Sequence, residues 1–457
     1  MRISDTARVG LGRRRGSAYT GRRLIKPSPT RSFDVLCTSF DRVVEPVPPN
    51  MVFFYERHLD TEALADALAK ALAYFPVYAG RIHVARGAMR IRCRGQGVSF
   101  AVASSEHTLE EAIRANAQDR GHWLLDSINV VSAHRGRFPL LTIRVTHLAD
   151  GATALGCGFH HSVGDFRSFM LLMHAWAATA SGKPAAQALI VEDRPAYLDE
   201  HLPPDGAKGS GLRALRFSEM SRLAVYAVKD ARKKRTVRVY FSNDEIRRMR
   251  NEYGPDTPLT ANDVVCAHFT EALMLSDPTI ARRALVIAVN VRNRCGLEPT
   301  LLGNLVTLLQ LDVPRGEPAA TIAKRIRNSV DHFNDEHLDI RSNLKMAAAV
   351  GGRWGITRCA PVSLDVTTFS SGITNWSNEG LYHVTFEGTA PTHVASVMNY
   401  LLPGTGILVE GAEGRGLLFV MSLPPGIADA MASPTMRDHL HRFRRNGDDI
   451  PPLYRDL

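Results

Sequence analysis

Leu64, Leu68, Leu72 and Phe75 recur at four- and three-residue spacing after the polar pair Asp60-Thr61 and stop at Pro76, which predicts an amphipathic helix packed on a core. Three stretches rich in β-formers, 88–93, 98–103 and 140–146, are separated by glycine or polar clusters and read as short strands. Residues 152–159 are small, apolar and unbroken, a buried strand that runs straight into His160-His161. From Phe166 the period turns helical, with Phe169, Met170, Met173, Trp176 and Ala177 on one face. The link between this strand and this helix is therefore tight and lies at a strand's C-terminal end, where catalytic side chains are commonly displayed.

Residues 181–215 hold four prolines and few periodic apolar positions, the composition of a long surface connection. Beyond it a strand is expected at 237–241. Thr260-Ala261-Asn262-Asp263 is a capping-box pattern opening a helix with Val265, Phe269 and Leu273 on its face. The β-branched run 285–291 is a buried strand. Helices and strands alternate irregularly in both halves, so the expected class is α/β (α+β) with mixed sheets, not a clean doubly wound sheet. The organisation that follows is a basic, disordered tail over 1–30, an N-terminal domain over 31–180, a crossover linker over 181–222 and a C-terminal domain over 223–457.

Composition narrows the function classes. The 457 residues are 45% apolar and 22% charged, an ordinary globular balance. No apolar stretch reaches the roughly 18 residues that a membrane helix needs. The formal charge of +10 is mostly local: nine Arg/Lys against Asp5 alone give +8 on residues 1–31, leaving +2 on the rest. A nucleic-acid footprint is thus missing from the folded body, and neither nucleic acid nor membrane is an expected partner. The six cysteines are far apart, without C-x-x-C or finger spacing, and read as reduced buried thiols. The expected location is cytoplasmic, or an organelle if the Arg-rich, acid-poor start acts as a targeting segment.

His161-Ser162-Val163-Gly164-Asp165 is an H-x-x-x-D on the strand-to-helix connection, and an imidazole there can serve as general base if its ring is oriented and bulk water excluded. Spacing alone is weak evidence, since His147 and Asp150 make a similar pair on a loop. His160 faces the other side of the strand and is read as structural. For the same reason His160 and His161 cannot share a metal, and no metal is expected. There is no G-x-S-x-G elbow, no phosphate loop, no H-E-x-x-H and no G-x-G-x-x-G after a strand.

The residues around this motif make the chain resemble the BAHD acyltransferases, CoA-dependent enzymes that acylate alcohols and amines. The resemblance runs from about residue 22 to the C-terminus. It includes Leu24-Ile25-Lys26-Pro27, Thr38-Ser39-Phe40-Asp41, Phe75-Pro76-Val77-Tyr78-Ala79-Gly80-Arg81, the region from Ala154 to Ala177 around His160-His161, and Asp193-Arg194. Asn262-Asp263, Val291-Arg292-Asn293-Arg294, Gly303-Asn304 and Asn375-Trp376 continue in the family's order. It implies two similar-sized acyltransferase-like domains with a channel between them, acyl-CoA as co-substrate with no bound cofactor, a small alcohol or amine as acceptor, and a monomer active in secondary metabolism. His161 matches the family's base. Asp165 matches an aspartate that turns away to pair with an arginine, here Arg292, and shapes the loop. Thr374 and Trp376 match positions bordering the reacting carbonyl. Positions that contact CoA are not identified.

Two departures stand out. Phe166 follows Asp165 where the family has glycine, which favours small aliphatic acyl donors. The family's C-terminal D-F-G-W-G appears as Thr385-Phe386-Glu387-Gly388-Thr389, with only Phe386 and Pro391 agreeing. A condensation-type domain fed by carrier proteins and a catalytically silent binding protein of the same fold are the alternative readings.

Overall fold

The apolar run predicted at 152–159 forms the strand Thr153–Phe159, all seven residues buried. It lies inside a seven-stranded mixed sheet ordered Arg13–Arg14, Ser17–Ile25, Val98–Ser104, Leu141–His147, Thr153–Phe159, Asn50–Tyr55 and His393–Ala395. The pair Val98–Ser104 and Leu141–His147 is parallel and every other neighbour is antiparallel. Asn50–Tyr55 is also fully buried, as expected of a central strand covered on both faces. The helices Thr61–Tyr74 and Phe166–Ala180 pack together on this sheet, and Trp176 Nε1 donates to the Leu64 carbonyl at 2.9 Å. Each fully buried Leu, Phe or Met at their contact contributes about 1.5–3 kcal/mol. This computed structural model describes residues 13–14, 16–204, 209–229, 233–336, 339–350, 358–365, 371–397 and 403–455.

A second sheet of six strands runs Arg235–Phe241, Leu417–Leu423, Thr405–Glu410, Ser371–Asn375, Arg282–Asn290 and Val306–Pro314. Ser371–Asn375 is parallel to both of its neighbours. The helix Ala261–Ser276 starts with the capping box that the sequence predicts, Thr260 and Asp263 each bonding the other's backbone N–H. Phe269 stacks on Phe419 at 3.9 Å and seats that helix on its sheet. A three-stranded antiparallel sheet, Phe33–Leu36, Ala88–Cys93 and Arg81–Ala85, completes the N-terminal half.

Three expectations are corrected. The disordered tail does not extend to residue 30: Ser17–Ile25 is a strand on Val98–Ser104, while residues 1–12 and 15 lie outside the described residues. A buried charge recruits this strand. Arg144, 0% exposed on the strand Leu141–His147 of the same sheet, needs partners. It donates to Asp126 at 3.1 Å and to Ser17 Oγ at 2.6 Å, and its guanidinium lies 4.1 Å from the Tyr19 ring. Arg22 adds a 2.8 Å pair to Asp126, so part of the basic N-terminus is paired, not solvated. Second, the linker over 181–222 is more than a surface connection. It contains the helix Arg194–His201 and the strand Leu212–Ala214, and Arg194 is buried. Third, the C-terminal segment 223–457 is not self-contained, because its strand His393–Ala395 pairs with Asn50–Tyr55 and closes the first sheet.

Candidate active site

The strand Thr153–Phe159 ends at His160, and a single 3₁₀ turn, His161–Val163, leads through Gly164 to Asp165. Gly164 is required by close approach: a Cβ there would lie 2.6 Å from Ser168 Cβ. Asp165 is the N-cap of the helix Phe166–Ala180, accepting from the Ser168 N–H and Oγ–H at 2.9 Å each. Capping and tight packing thus fix both ends of the turn that carries His161.

Two buried ion pairs grip this turn. Arg292 meets Asp165 through both terminal guanidinium nitrogens, at 2.8 and 3.0 Å, the bidentate geometry that arginine favours. Arg292 also donates to Ser168 Oγ and to the carbonyls of Leu301 and Gly303, and Leu305 N–H donates to Asp165 at 3.1 Å. Burial opposes charge on Asp165, but the Arg292 guanidinium and these amides outweigh it, and its carboxyl titrates below the usual range. On the other flank Arg194 pairs with Asp41 at 3.1 Å and donates to the carbonyls of Ser162 and Val163 at 3.2 and 2.7 Å. Asn304 Nδ2 bridges Asp41 Oδ1 and the His161 carbonyl, at 2.8 Å each. The turn is therefore held by residues from the N-terminal half, the linker and the C-terminal half together.

His161 is half-buried with Nδ1 inward. Burial pushes its pKa down, with partial opposition from its own carbonyl, Asp165 and Asn304, so the neutral ring is favoured. His160 is fully buried and points elsewhere: its Nδ1 accepts from the Ser162 N–H at 3.4 Å, and its Nε2 lies 3.6 Å from Glu45. His134 in turn bonds Glu45 at 2.9 Å. Burial, then the neighbouring histidines, lower the His160 pKa to about 3.

Trp376 follows the strand Ser371–Asn375 and is anchored by its backbone N–H, which donates to the Leu408 carbonyl at 2.8 Å. Its indole stacks on Phe166 with centroids 4.0 Å apart and planes 9° apart, both side chains buried. An aromatic series continues through Phe169 and Phe159 to within 6.2 Å of the His161 ring. Arg167 pairs with Glu379 at 3.0 Å, a second tie between the helix start and the segment after Trp376. Thr374 is half-buried on the same strand and, among the described residues, makes no side-chain hydrogen bond to the 160–165 turn. The altered C-terminal signature lies apart from this turn. Phe386 is buried edge-on to Trp176 at 4.9 Å, and Glu387 caps the helix Thr61–Tyr74 by accepting from the Asp60 N–H at 2.7 Å.

Among the described residues one group, His268, Glu271 and His439, gathers metal-type donors. It does not suit a cation. Arg442 donates to Glu271 at 3.0 Å, and both His268 nitrogens are engaged, by the Tyr253 hydroxyl and the Leu440 carbonyl. No helix among the described residues is long and apolar enough to cross a membrane.

Sequence reading singled out His161, Asp165, Arg292, Thr374 and Trp376. It missed Asp41, Arg194, Asn304 and Glu45 as parts of the site. The first three sit in segments whose order carries the resemblance, so their positions were visible while their roles were not.

A histidine on a turn clamped between two mixed sheets defines the class of two-lobed acyltransferases with an H-x-x-x-D turn. The chain belongs to the Transferase family, the BAHD acyltransferases, whose sequence model matches residues 18–431. Over 410 residues it is 24% identical to an anthranilate N-benzoyltransferase protein 1 of Dianthus caryophyllus, covering 85% of each chain. It is 32% identical over 172 residues to a hydroxycinnamoyltransferase of Narcissus pseudonarcissus, a match that spans only 38% of that protein. Its fold is similar to that of vinorine synthase, with a TM-score of 0.67 at 18% identity over 91% of this chain and 96% of the other. It is also similar to F. graminearum TRI101 complexed with coenzyme A and deoxynivalenol, with a TM-score of 0.71 at 12% identity over 89% and 98%.

Proposed function

We propose that this protein transfers an acyl group from a CoA thioester to the hydroxyl or amine of a small molecule, with His161 as the general base. The observation that carries this reading is the clamped turn: Asp165 is committed to Arg292, so the imidazole acts as a single base and not as part of a proton relay. His161 takes the proton of the acceptor as its oxygen or nitrogen attacks the thioester carbonyl. The resulting oxyanion collapses, the carbon–sulfur bond breaks, and the departing thiolate recovers the proton from His161 as free CoA. Thr374 and Trp376 are the proposed donors to the oxyanion, where fixed dipoles have their largest effect. The two substrates enter by a channel between the halves.

A direct transfer without an acyl-enzyme is favoured because the nearby nucleophiles are occupied. Ser162 Oγ donates to the Asp41 carbonyl at 2.8 Å, and burial pushes the Cys157 thiol far up. Release of free thiol from a panel of acyl-CoA esters and acceptors tests the reading. Silence with every CoA ester, and turnover with carrier-bound thioesters, would transfer the assignment to a condensation-type reaction.

The rate should rise with pH as His161 loses its proton. Because burial depresses its pKa, the acid limb of kcat/KM is expected below the ordinary imidazole value of 6.5, with a plateau at neutral pH. A limb centred above that value would contradict His161 as the base.

Phe166 covers one face of Trp376, which leaves less room for a bulky acyl group beside the turn. Small aliphatic donors are therefore proposed, in contrast to the benzoyl and hydroxycinnamoyl groups in the relatives' names. Phe166→Gly should raise the ratio of benzoyl-CoA to acetyl-CoA kcat/KM by about tenfold or more, the scale of discrimination that an apolar pocket achieves. An unchanged ratio in a side-by-side rate profile would remove Phe166 from the specificity argument.

A further inference from the structure

We propose that the helix Phe217–Lys229, where the linker meets the C-terminal half, is a docking surface for an anionic lipid bilayer: Phe217 and Val225 enter the headgroup region and the arginines beside them meet lipid phosphates. The near-neutral total of residues 32–457 conceals this placement of charge. Residues 213–235 hold eight Arg/Lys against Glu219 and Asp230, net +6, so the remainder of that stretch carries −4. A basic helix with an apolar face is the pattern that lies on membrane surfaces. Met220 and Leu223 are half-buried against Leu215, Ala360 and Leu364, a small cluster apart from the two main cores. Phe217, Ser221, Ala224 and Val225 follow at helical spacing on another side, and all four are exposed. Phe217 is 84% exposed, the most of any large apolar side chain among the described residues, and Val225 is 52% exposed.

The charges around this face agree with the role. Glu219, the acidic residue within the helix, is already met by Arg213 at 2.7 and 2.9 Å and by the Arg216 N–H at 2.7 Å, so it does not repel an anionic surface. Arg216 and Arg222 are exposed, and Arg222 lies three residues before Val225. Its aliphatic stem can follow the apolar face while its guanidinium reaches a phosphate. Beyond the helix, exposed Arg235 is held only by a surface pair with Asp429. Two large apolar side chains make too narrow a face for a folded partner, which needs about 800 Å² on each side. A bilayer needs only shallow insertion aided by charge. A nucleic acid would engage the arginines and leave Phe217 and Val225 without a use. None of the residues that grip the His161 turn belongs to this helix, so the inference does not depend on the reaction carried out there.

The test is co-sedimentation of the full chain with vesicles of phosphatidylcholine alone and of phosphatidylcholine with phosphatidylserine. Binding is expected on the serine-containing vesicles at about 0.1 M salt, and should weaken about tenfold or more on neutral vesicles or at about 1 M salt. Joint replacement Phe217→Ser and Val225→Ser should weaken it by about tenfold or more, since the inserted apolar area is lost. Arg222→Glu should weaken it by about tenfold on anionic vesicles and leave the residual binding to neutral ones unchanged. All three side chains are exposed, so the thermal midpoint should stay at the wild-type value. Absence of binding to anionic vesicles at the lower salt would overturn the proposal. So would binding that persists in the Phe217/Val225 variant, because the basic N-terminus would then account for it. Tighter retention on a short DNA duplex, or a wild-type dimer abolished in that variant without any vesicle binding, would assign the face to nucleic acid or to a second copy instead.

Discussion

Replacing His161 by alanine is expected to lower turnover by about 10²–10⁴-fold, the span a positioned general base supplies. The fold should survive, because the ring is half-buried and the turn is held by backbone and ion-pair contacts that do not use it. His160→Ala should behave in the opposite way. That ring is fully buried against Glu45 and the Ser162 amide, so its loss should cost stability while the chemical step suffers far less. Single-turnover rates and thermal midpoints for the two variants separate these outcomes. Equal losses of rate with both folds intact would show that the base is misassigned.

The second large effect is expected at Asp165. Asp165→Asn leaves Arg292, 2% exposed, with its charge uncompensated, and breaking a buried pair in this way costs about 3–5 kcal/mol. Activity should fall with stability because the same pair shapes the His161 turn. The sign of the pH dependence follows from the lowered carboxyl pKa. The ion pair's contribution is fully present above the unfolded carboxylate value of about 3.9 and is lost as pH falls through the lower folded value. The difference in unfolding free energy between wild type and variant should therefore be widest at neutral pH and close in acid. A variant as stable as wild type with a displaced acid limb would instead mean that Asp165 tunes the base directly.

Local periodicity was enough to predict the strand that leads into the His161 turn, the helix that follows it and the capped helix after Thr260. Each depends on neighbours within one or two turns, and burial of one face leaves a direct trace in residue order. Charge counting along the chain was less reliable. It treated Arg22 as solvated, whereas Asp126 and the buried Arg144 draw the N-terminal strand onto the sheet.

The sequence by itself thus determined where the His161–Asp165 turn lies, and the family order around it pointed to Arg292 as the partner of Asp165. Only the tertiary structure decided how the turn is held. Asp41 meets Arg194 across 153 positions and Asn304 across 263, and Asp165 meets Arg292 across 127. A lone Asp, Arg or Asn has no periodic signature, and its energy comes from the partner and the dielectric around it, both set when distant segments close on one another. The same holds for Phe166. In the sequence it is an unusual residue after an aspartate. Its meaning came from Trp376, whose indole arrives from the other sheet and stacks on it at 4.0 Å.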